Sequence, residues 1–227
     1  MNTRTRLTFF AGLILLVGCA APATQAPVLL TVTPTLFIST PTSSLLTPGS
    51  ITPGPGGTAL PNPSTICTDS QVTALIESFK NAVLNSDGSL LSTLVSPARG
   101  MDVARFRDGT VITYRPEHAK FLFETTFQVD WGTQPGSGAA TRGSFHQVVV
   151  PELAKVFNQP YTLHCNELKL GGATYQAEWP YQGEYYSVHF PGTQANGNMD
   201  WYTWAMGIEY ASGKPYIYAL IPFFWEP

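Results

Sequence analysis

Apolar residues recur at helical spacing near the start of the region that follows residue 65. The positions lie three or four residues apart, and Thr68 and Gln71 form a capping-box pattern ahead of the run. We therefore predict one amphipathic helix whose buried face is formed by Val72, Leu75, Ile76, Phe79 and Val83. Three shorter helical patterns follow, and they begin at Ser89, Pro116 and Phe145.

Strand patterns dominate the chain after residue 160. Aromatic and β-branched residues are dense there, and turn-forming residues separate the runs. Earlier, Asp108-Gly109 predicts a hairpin, whereas residues 131–143 are rich in Gly, Thr and Ser and predict a loop. Helices first and antiparallel strands afterwards indicate the α+β class. The predicted late strands span residues 161–170, 176–181, 184–190, 201–210 and 216–224.

The closing strands carry a resemblance to a known fold. Two helices, a hairpin, more helix and long antiparallel strands lead to Tyr218-Ala219-Leu220-Ile221-Pro222. This order resembles the cone-shaped nuclear transport factor-like fold, which implies N-terminal helices packed on a curved antiparallel sheet. Some local patterns also look like those of uncharacterised bacterial lipoprotein domains, a likeness that implies no known activity: Trp131-Gly132, His189-Phe190-Pro191-Gly192 and Met199-Asp200-Trp201.

The first 19 residues have the features of a cleaved export signal. Arg4 and Arg6 are basic, residues 7–17 form an uncharged and mostly apolar run, and Gly18-Cys19 follows at once. Leu16-Val17-Gly18-Cys19 resembles a bacterial lipobox. The resemblance implies that residues 1–18 are removed as a signal peptide and that Cys19 becomes the lipidated first residue. The mature protein would then be held at the outer, extracytoplasmic face of the cell membrane.

Two other interpretations of this N-terminal stretch remain open. A membrane-spanning anchor needs about 20 apolar residues, and the run that ends at Gly18 is shorter. Ordinary secretion with cleavage in the Ala-rich residues 20–26 is the second. A single acyl chain binds a membrane only marginally, so stable anchoring rests on the diacylglyceryl group and N-acyl chain that the lipobox implies.

Residues 19–65 read as a tether between the anchor and a folded domain. From Ala20 to Thr65 the chain has 9 prolines and 10 threonines but no charged residue. Proline fixes φ and removes a hydrogen-bond donor, which favours an extended, disordered linker. The alternative is that the apolar runs Val28-Leu29-Leu30 and Leu36-Phe37-Ile38 pack on the domain. We predict one α+β domain over residues 66–227.

Charge and cysteine content exclude some classes of function. Residues 66–227 hold 10 basic and 15 acidic side chains, a formal charge of −5, which argues against binding nucleic acid. With Cys19 assigned to lipid, an oxidising compartment favours a Cys67–Cys165 disulfide, and two buried thiols are the alternative. Two cysteines so far apart do not resemble a zinc site. We predict no metal and no cofactor.

The best cluster of candidate catalytic residues lies around His189 and Asp200, on two predicted strands joined by a short connection. A His oriented by Asp200 or Glu184 suits general-base catalysis, which makes an envelope hydrolase one hypothesis. The alternative is that Asp200 caps a turn and His189 donates to a backbone carbonyl. Arg105 and Arg107 share a strand face and suit an anion, or they simply face solvent.

Aromatic residues crowd the last third of the chain and favour binding over catalysis. Tyr and Trp combine a large apolar area with a polar tip, which suits ligand pockets. We therefore expect a non-enzymatic module that binds a small molecule, a glycan or a partner protein in an aromatic-lined concavity. The alternatives are the hydrolase and a structural adaptor, with the aromatic side chains filling the core. Candidate binding residues are Trp131, Tyr185, His189, Trp201 and Trp204.

Overall fold

The computed structural model describes residues 66–227, and every structural statement below concerns this part of the chain. Helices and strands are interspersed up to α5, and four strands end the chain, with a short 3₁₀ turn at Gln194–Asn196. The elements are α1 (Ser70–Leu84), α2 (Gly88–Leu94), β1 (Met101–Ala104), β2 (Val111–Tyr114), α3 (Pro116–Ala119), β3 (Val129–Thr133), β4 (Ala140–Gly143), α4 (Phe145–Val148), α5 (Val150–Phe157), β5 (Thr162–Cys165), β6 (Tyr185–Phe190), β7 (Tyr202–Ala211) and β8 (Lys214–Phe224).

A curved six-stranded sheet forms the centre of the fold. Its strand order is β2-β1-β8-β7-β6-β5, and every neighbouring pair is antiparallel except β1 and β8. A second, two-stranded sheet joins β3 to β4. The predicted α+β class, with helices on a curved and mostly antiparallel sheet, is confirmed.

One face of the sheet packs against the helices and forms the main core. Strand alternation directs Tyr186, Val188 and Phe190 of β6 to this face. Phe79 of α1 meets Phe157 of α5 edge to face, with ring centroids 6.0 Å apart. The apolar face predicted for the first helix is buried as expected. Burying one such side chain stabilises the fold by about 1.5–3 kcal/mol.

The opposite face of the sheet is covered by an irregular segment, residues 166–184, which we call the strap. It follows β5 directly and returns to β6. Its apolar side chains pack on a second cluster of sheet residues, and two of them are Trp179 and Tyr181. The strand predicted over residues 176–181 was therefore wrong. The alternation there arises because every second side chain packs inward, although the backbone joins neither sheet.

Side chains of the sheet fasten the strap through its backbone. The hydroxyl of Thr203 donates to the carbonyl of Lys169 at 2.6 Å, and that of Ser187 donates to the carbonyl of Glu167 at 2.6 Å. The indole N–H of Trp201 donates to the carbonyl of Gly172 at 3.0 Å. These bonds satisfy backbone groups that a segment without secondary structure would otherwise leave unpaired.

A disulfide joins Cys67, just ahead of α1, to Cys165, the last residue of β5, with 5.5 Å between the Cα atoms. The predicted bridge is confirmed. It closes a sequence separation of 98 residues and lies at the point where the strap begins.

Two predicted helix starts lie one or two residues from the observed ones. The side chain of Asp69, and not that of Thr68, accepts the capping bond of α1, from the backbone N–H of Gln71 at 2.8 Å. Asp87 likewise replaces Ser89 as the cap of α2. Adjacent residues with similar capping propensity compete for one position, and the sequence alone does not decide between them.

Two further segments differ from the sequence prediction. Residues 131–143 were predicted to be a loop, yet β3 and β4 form a hairpin around a turn at 134–139. The helix predicted from Phe145 to Phe157 breaks into α4 and α5 at Val149, because Pro151 lies in the first turn of α5 and supplies no N–H. The first strand of the Asp108-Gly109 hairpin ends at Ala104, so Arg105 and Arg107, which were expected to share a strand face, lie in the connection to β2.

The N-terminal predictions fall outside the described residues. They comprise the signal peptide over 1–18, the lipidated Cys19 and the linker over 19–65. Within residues 66–227, each helix is too short or too polar to cross a membrane.

Candidate functional site

An open apolar groove of about 420 Å³ lies between β2, α3 and the segment that leads from α3 to β3. This volume falls within the range of small-molecule sites in proteins. The lining side chains are mostly aliphatic or aromatic: Ile112, Thr113, Tyr114, His118, Phe121, Leu122, Thr125, Phe127, Val129 and Phe145.

The rim of the groove exposes two phenylalanines to solvent. The side chain of Phe121 is 55% exposed and that of Phe127 is 73% exposed. Pro116 begins α3, which lasts only one turn, and hydrogen-bonded turns continue the chain to Thr125. This irregular path turns Phe121 and Phe127 outward while Leu122 remains buried. Exposed apolar side chains that border a cavity are typical of binding surfaces.

The base of the groove is held by the core. Phe145, the first residue of α4, is buried and packs edge to face on Tyr114 with ring centroids 5.8 Å apart. The ring of Phe123 also packs edge to face on that of Phe145, with centroids 6.2 Å apart. A capping box between Ser144 and Gln147 fixes the start of α4. The cavity is thus formed by side chains that are themselves anchored, which favours a preformed site.

Two polar groups in the groove have no partner among the described residues. They are the phenol hydroxyl of Tyr114 and the imidazole of His118, for which the structure shows no hydrogen bond. The other polar side chains are engaged, because Thr113 donates to Asp102 at 2.5 Å and Thr125 accepts from the backbone N–H of Phe127 at 3.2 Å. Burial raises the pKa of Tyr114 to about 12, so its hydroxyl is a neutral donor at physiological pH.

His189 was the leading catalytic candidate, and the structure places it under the strap, 5% exposed. Its Nδ1 lies 2.8 Å from the hydroxyl of Thr203. Because that hydroxyl donates to the carbonyl of Lys169, Nδ1 carries the proton and donates to Thr203. Burial, together with the smaller effects of the neighbouring His164 and Lys169, lowers the pKa of His189 to about 4.

Neither carboxylate proposed to act with His189 is hydrogen-bonded to it. Asp200 accepts from the backbone N–H of Thr193 at 2.7 Å, from its hydroxyl at 2.9 Å and from the amide of Asn196 at 2.8 Å. These bonds lower the pKa of Asp200 to about 2. Glu184 accepts from the amide of Asn166 at 3.2 Å. Asp200 therefore closes the turn that precedes β7, as the alternative expected, but His189 donates to the hydroxyl of Thr203 and not to a backbone carbonyl.

Three of the predicted binding residues lie in the interior. Trp131, Trp201 and Trp204 are each at most 1% exposed. Their indole N–H groups donate to the carbonyls of Gly143, Gly172 and Glu152. These side chains therefore fill the core and are not available to stack on a ligand.

The predicted aromatic concavity is filled as well. Trp204 and Met206 lie under the helices and are fully buried, and Tyr218 is 2% exposed under the strap. Tyr185 is half-buried and stacks on Trp179 of the strap, with centroids 4.7 Å apart. One face of the sheet is therefore covered by the helices and the other by the strap, and the groove lies at the β2 edge of the sheet.

The two arginines considered for an anion already have carboxylate partners within the chain. Arg105 pairs with Glu152 at 3.1 Å, and Arg107 pairs with Glu226 at 3.1 Å. The second pair fastens the C-terminal residues to the loop between β1 and β2. Both cations therefore serve the fold.

Sequence reasoning missed the groove residues. The helix predicted from Pro116 includes Phe121, and no prediction concerns Phe127, since a single exposed Phe is unremarkable in a sequence. The available signal was Pro116 followed by three phenylalanines, Phe121, Phe123 and Phe127, that do not share one helical face.

No cluster of three or more His, Cys, Asp or Glu within residues 66–227 is arranged to hold a metal ion. Comparison of the chain with known protein families, with curated proteins and with solved structures found no match.

Proposed function

We propose that this chain is a lipid-anchored extracytoplasmic protein whose domain binds a small apolar molecule in the groove at β2 and α3. The observation that carries the proposal is an open cavity of about 420 Å³ with an apolar lining and two exposed phenylalanines at its rim. Transfer of apolar ligand surface out of water supplies the driving force.

The binding hypothesis rests on the groove, and no longer on the aromatic residues of the last third. The tryptophans expected to stack on a glycan, Trp131, Trp201 and Trp204, are buried. The hydrolase hypothesis loses its supporting geometry, because Asp200 is engaged by Thr193 and Asn196. The groove offers instead a preformed apolar site with two hydrogen-bonding groups.

The anchor rests on the sequence alone, on the lipobox-like Leu16-Val17-Gly18-Cys19. We expect Cys19→Ser to move the protein from the membrane fraction to the soluble fraction and to leave an uncleaved or unlipidated precursor. Membrane retention and electrophoretic mobility that both remain unchanged would contradict the anchor. They would not affect the groove proposal.

The groove proposal is tested with the mature full-length chain and N-phenyl-1-naphthylamine, a neutral apolar dye that fluoresces on leaving water. We expect saturable binding that weakens about tenfold when Phe127 or Phe121 becomes Ser, since each change removes apolar contact area. Met199→Ser is the matched control, because Met199 is 55% exposed, as is Phe121.

The result that would overturn the proposal is dye binding that does not saturate, or that falls equally in all three variants. Saturable dye binding that survives both phenylalanine changes would place the site elsewhere. If the dye does not bind but Phe121→Ser and Phe127→Ser abolish capture of a protein partner, the structural-adaptor hypothesis replaces this one.

A further inference from the structure

Besides its apolar lining, the groove has polar groups that indicate the chemistry of its ligand. Tyr114 and His118 offer hydrogen-bonding groups that no described residue uses. A polar group inside an apolar cavity is stabilised when a ligand supplies its partner, because leaving a donor unpaired after water is displaced costs free energy. The ligand should therefore carry a polar group as well as an apolar body.

The charges at the groove indicate the sign of that polar group. The residues that line the cavity include no carboxylate. Lys120 follows α3, and its Nζ lies 5.9 Å from the ring centroid of Phe121 at the rim. The structure shows no ion pair between Lys120 and a described carboxylate. The rim thus carries an ammonium group that forms no ion pair with a described residue.

The hydrogen-bond donors in the groove also favour an anionic ligand group. The hydroxyl of Tyr114 is neutral and can donate its proton to an acceptor. An imidazole N–H of His118 is a second donor in the same lining. A carboxylate accepts from both and is attracted by an ammonium, whereas a cationic headgroup would meet Lys120 and find no carboxylate among the lining residues.

We propose that the groove binds a monocarboxylate amphiphile, with its aliphatic or aryl body against Phe121, Phe127 and Val129 and its carboxylate held by Tyr114, His118 and Lys120. The inference rests on the proposed function, because it assigns a ligand class to the same groove. A free carboxylic acid is the occupant that a cavity of this size fits, and an anionic lipid surface is the competing source of the same chemistry.

The test is competition between the neutral dye and three ligands that share a twelve-carbon chain: dodecanoate, dodecanol and dodecyltrimethylammonium. All are used below their micelle-forming concentrations with the mature full-length chain. We expect dodecanoate to displace the dye at a concentration about tenfold lower than the ammonium compound, since hydrogen bonds to a charged group strengthen binding by about this factor.

Variants separate the headgroup contacts from the apolar site. Tyr114→Phe, His118→Gln and Lys120→Gln should each reduce the preference for dodecanoate over dodecyltrimethylammonium by about three- to tenfold, with each preference measured against that variant's own dye affinity. Lys214→Gln is the matched control for Lys120, because the Nζ of Lys214 lies 5.0 Å from the Tyr216 ring, outside the groove. If Tyr114→Phe fails to fold, Lys120→Gln carries the test, since Lys120 is exposed.

The outcomes distinguish this inference from the proposed function. If the dye binds saturably but the three competitors displace it equally, the headgroup inference is overturned and the apolar site stands. If the dye does not bind, both fail. Vesicles with anionic lipid provide the remaining arm: binding to them without displacement by free dodecanoate would overturn the carboxylic-acid ligand in favour of a membrane surface.

Discussion

The strap and the segment from α3 to β3 are both irregular chain, yet the aromatic side chains of the strap pack inward whereas two at the groove rim face solvent. In the strap, Trp179 and Tyr181 pack inward, and backbone carbonyls accept bonds from the sheet. At the groove, Phe121 and Phe127 point outward, and the hydroxyl of Tyr114 has no described partner. An irregular segment that packs its aromatic side chains inward serves stability, whereas one that leaves apolar side chains exposed is suited to binding.

This comparison also explains why the original candidates differ from the site that the structure supports. His189 and Trp201 are unusual residues in the sequence, but they lie under the strap, where their unusual chemistry is used for packing and for hydrogen bonds within the chain. The groove is lined by common residues whose significance depends on exposure. His189 and Trp201 were chosen by residue type, whereas the groove residues are recognised only from their positions in the structure.

The largest expected effect concerns the disulfide at the start of the strap. Replacing both Cys67 and Cys165 by Ser should lower the free energy of unfolding by about 4–5 kcal/mol, because the bridge restricts a loop of nearly 100 residues in the unfolded chain. Denaturant titration measures this, and the unaltered protein in reductant should match the variant. Equal stability with and without the bridge would mean that the strap is held by its other contacts alone.

Acid should destabilise the strap side through His189. Its pKa of about 4 in the folded protein lies below the ordinary value near 6.5, so the unfolded chain takes up the proton first. Stability is therefore complete above pH 6.5 and declines as the pH falls towards 4, by at most about 1.4 kcal/mol per pH unit. Unfolding midpoints measured from pH 7 to 4.5 give the slope.

His189→Gln should flatten that decline, whereas the same change at the exposed His118 should leave it intact. The neighbours of His189 are the hydroxyl of Thr203, the ring of His164 at 6.3 Å between centroids and the ring of Trp201 at 6.4 Å. A decline of equal slope in the His189→Gln variant would show that other groups cause the acid sensitivity.

A smaller effect tests how closely the strap fits the sheet. A Cβ at Gly171 would lie 2.3 Å from the Trp201 ring, whereas one at the adjacent Gly172 would meet nothing within 4 Å. Gly171→Ala should therefore cost about 1–3 kcal/mol by overpacking, and Gly172→Ala under about 0.5 kcal/mol. Thermal unfolding of the two variants is the measurement, and equal midpoints would contradict a closely packed strap.

Parts of the fold with long and regular patterns could be predicted from the sequence. The helical spacing from Val72 to Val83 and the two last strands around Ser212-Gly213 correspond to α1, β7 and β8. Caps could not be placed, because Asp69 and Thr68 are both suited to the role. The hairpin of β3 and β4 was hidden by Gly, Thr and Ser, which also suit a loop.

The candidate site depended on information that the sequence does not contain. Asp200 and His189 were paired because their strands are adjacent, but Asp200 precedes β7 and is turned into the connection by Thr193 and Asn196. Phe121 and Phe127 give no pattern that distinguishes an exposed ring from a buried one. Their position at the rim follows from the single turn of α3, a feature of tertiary packing.

Methyl NMR of the mature chain, titrated with N-phenyl-1-naphthylamine, tests the central claim most directly. If the groove is the binding site and the strap is sealed, signals of Ile112, Leu122 and Val129 should shift saturably, while those of Leu168 and Leu170 in the strap stay unchanged. Shifts confined to the strap residues, or the absence of any saturable shift at the groove, would contradict the account.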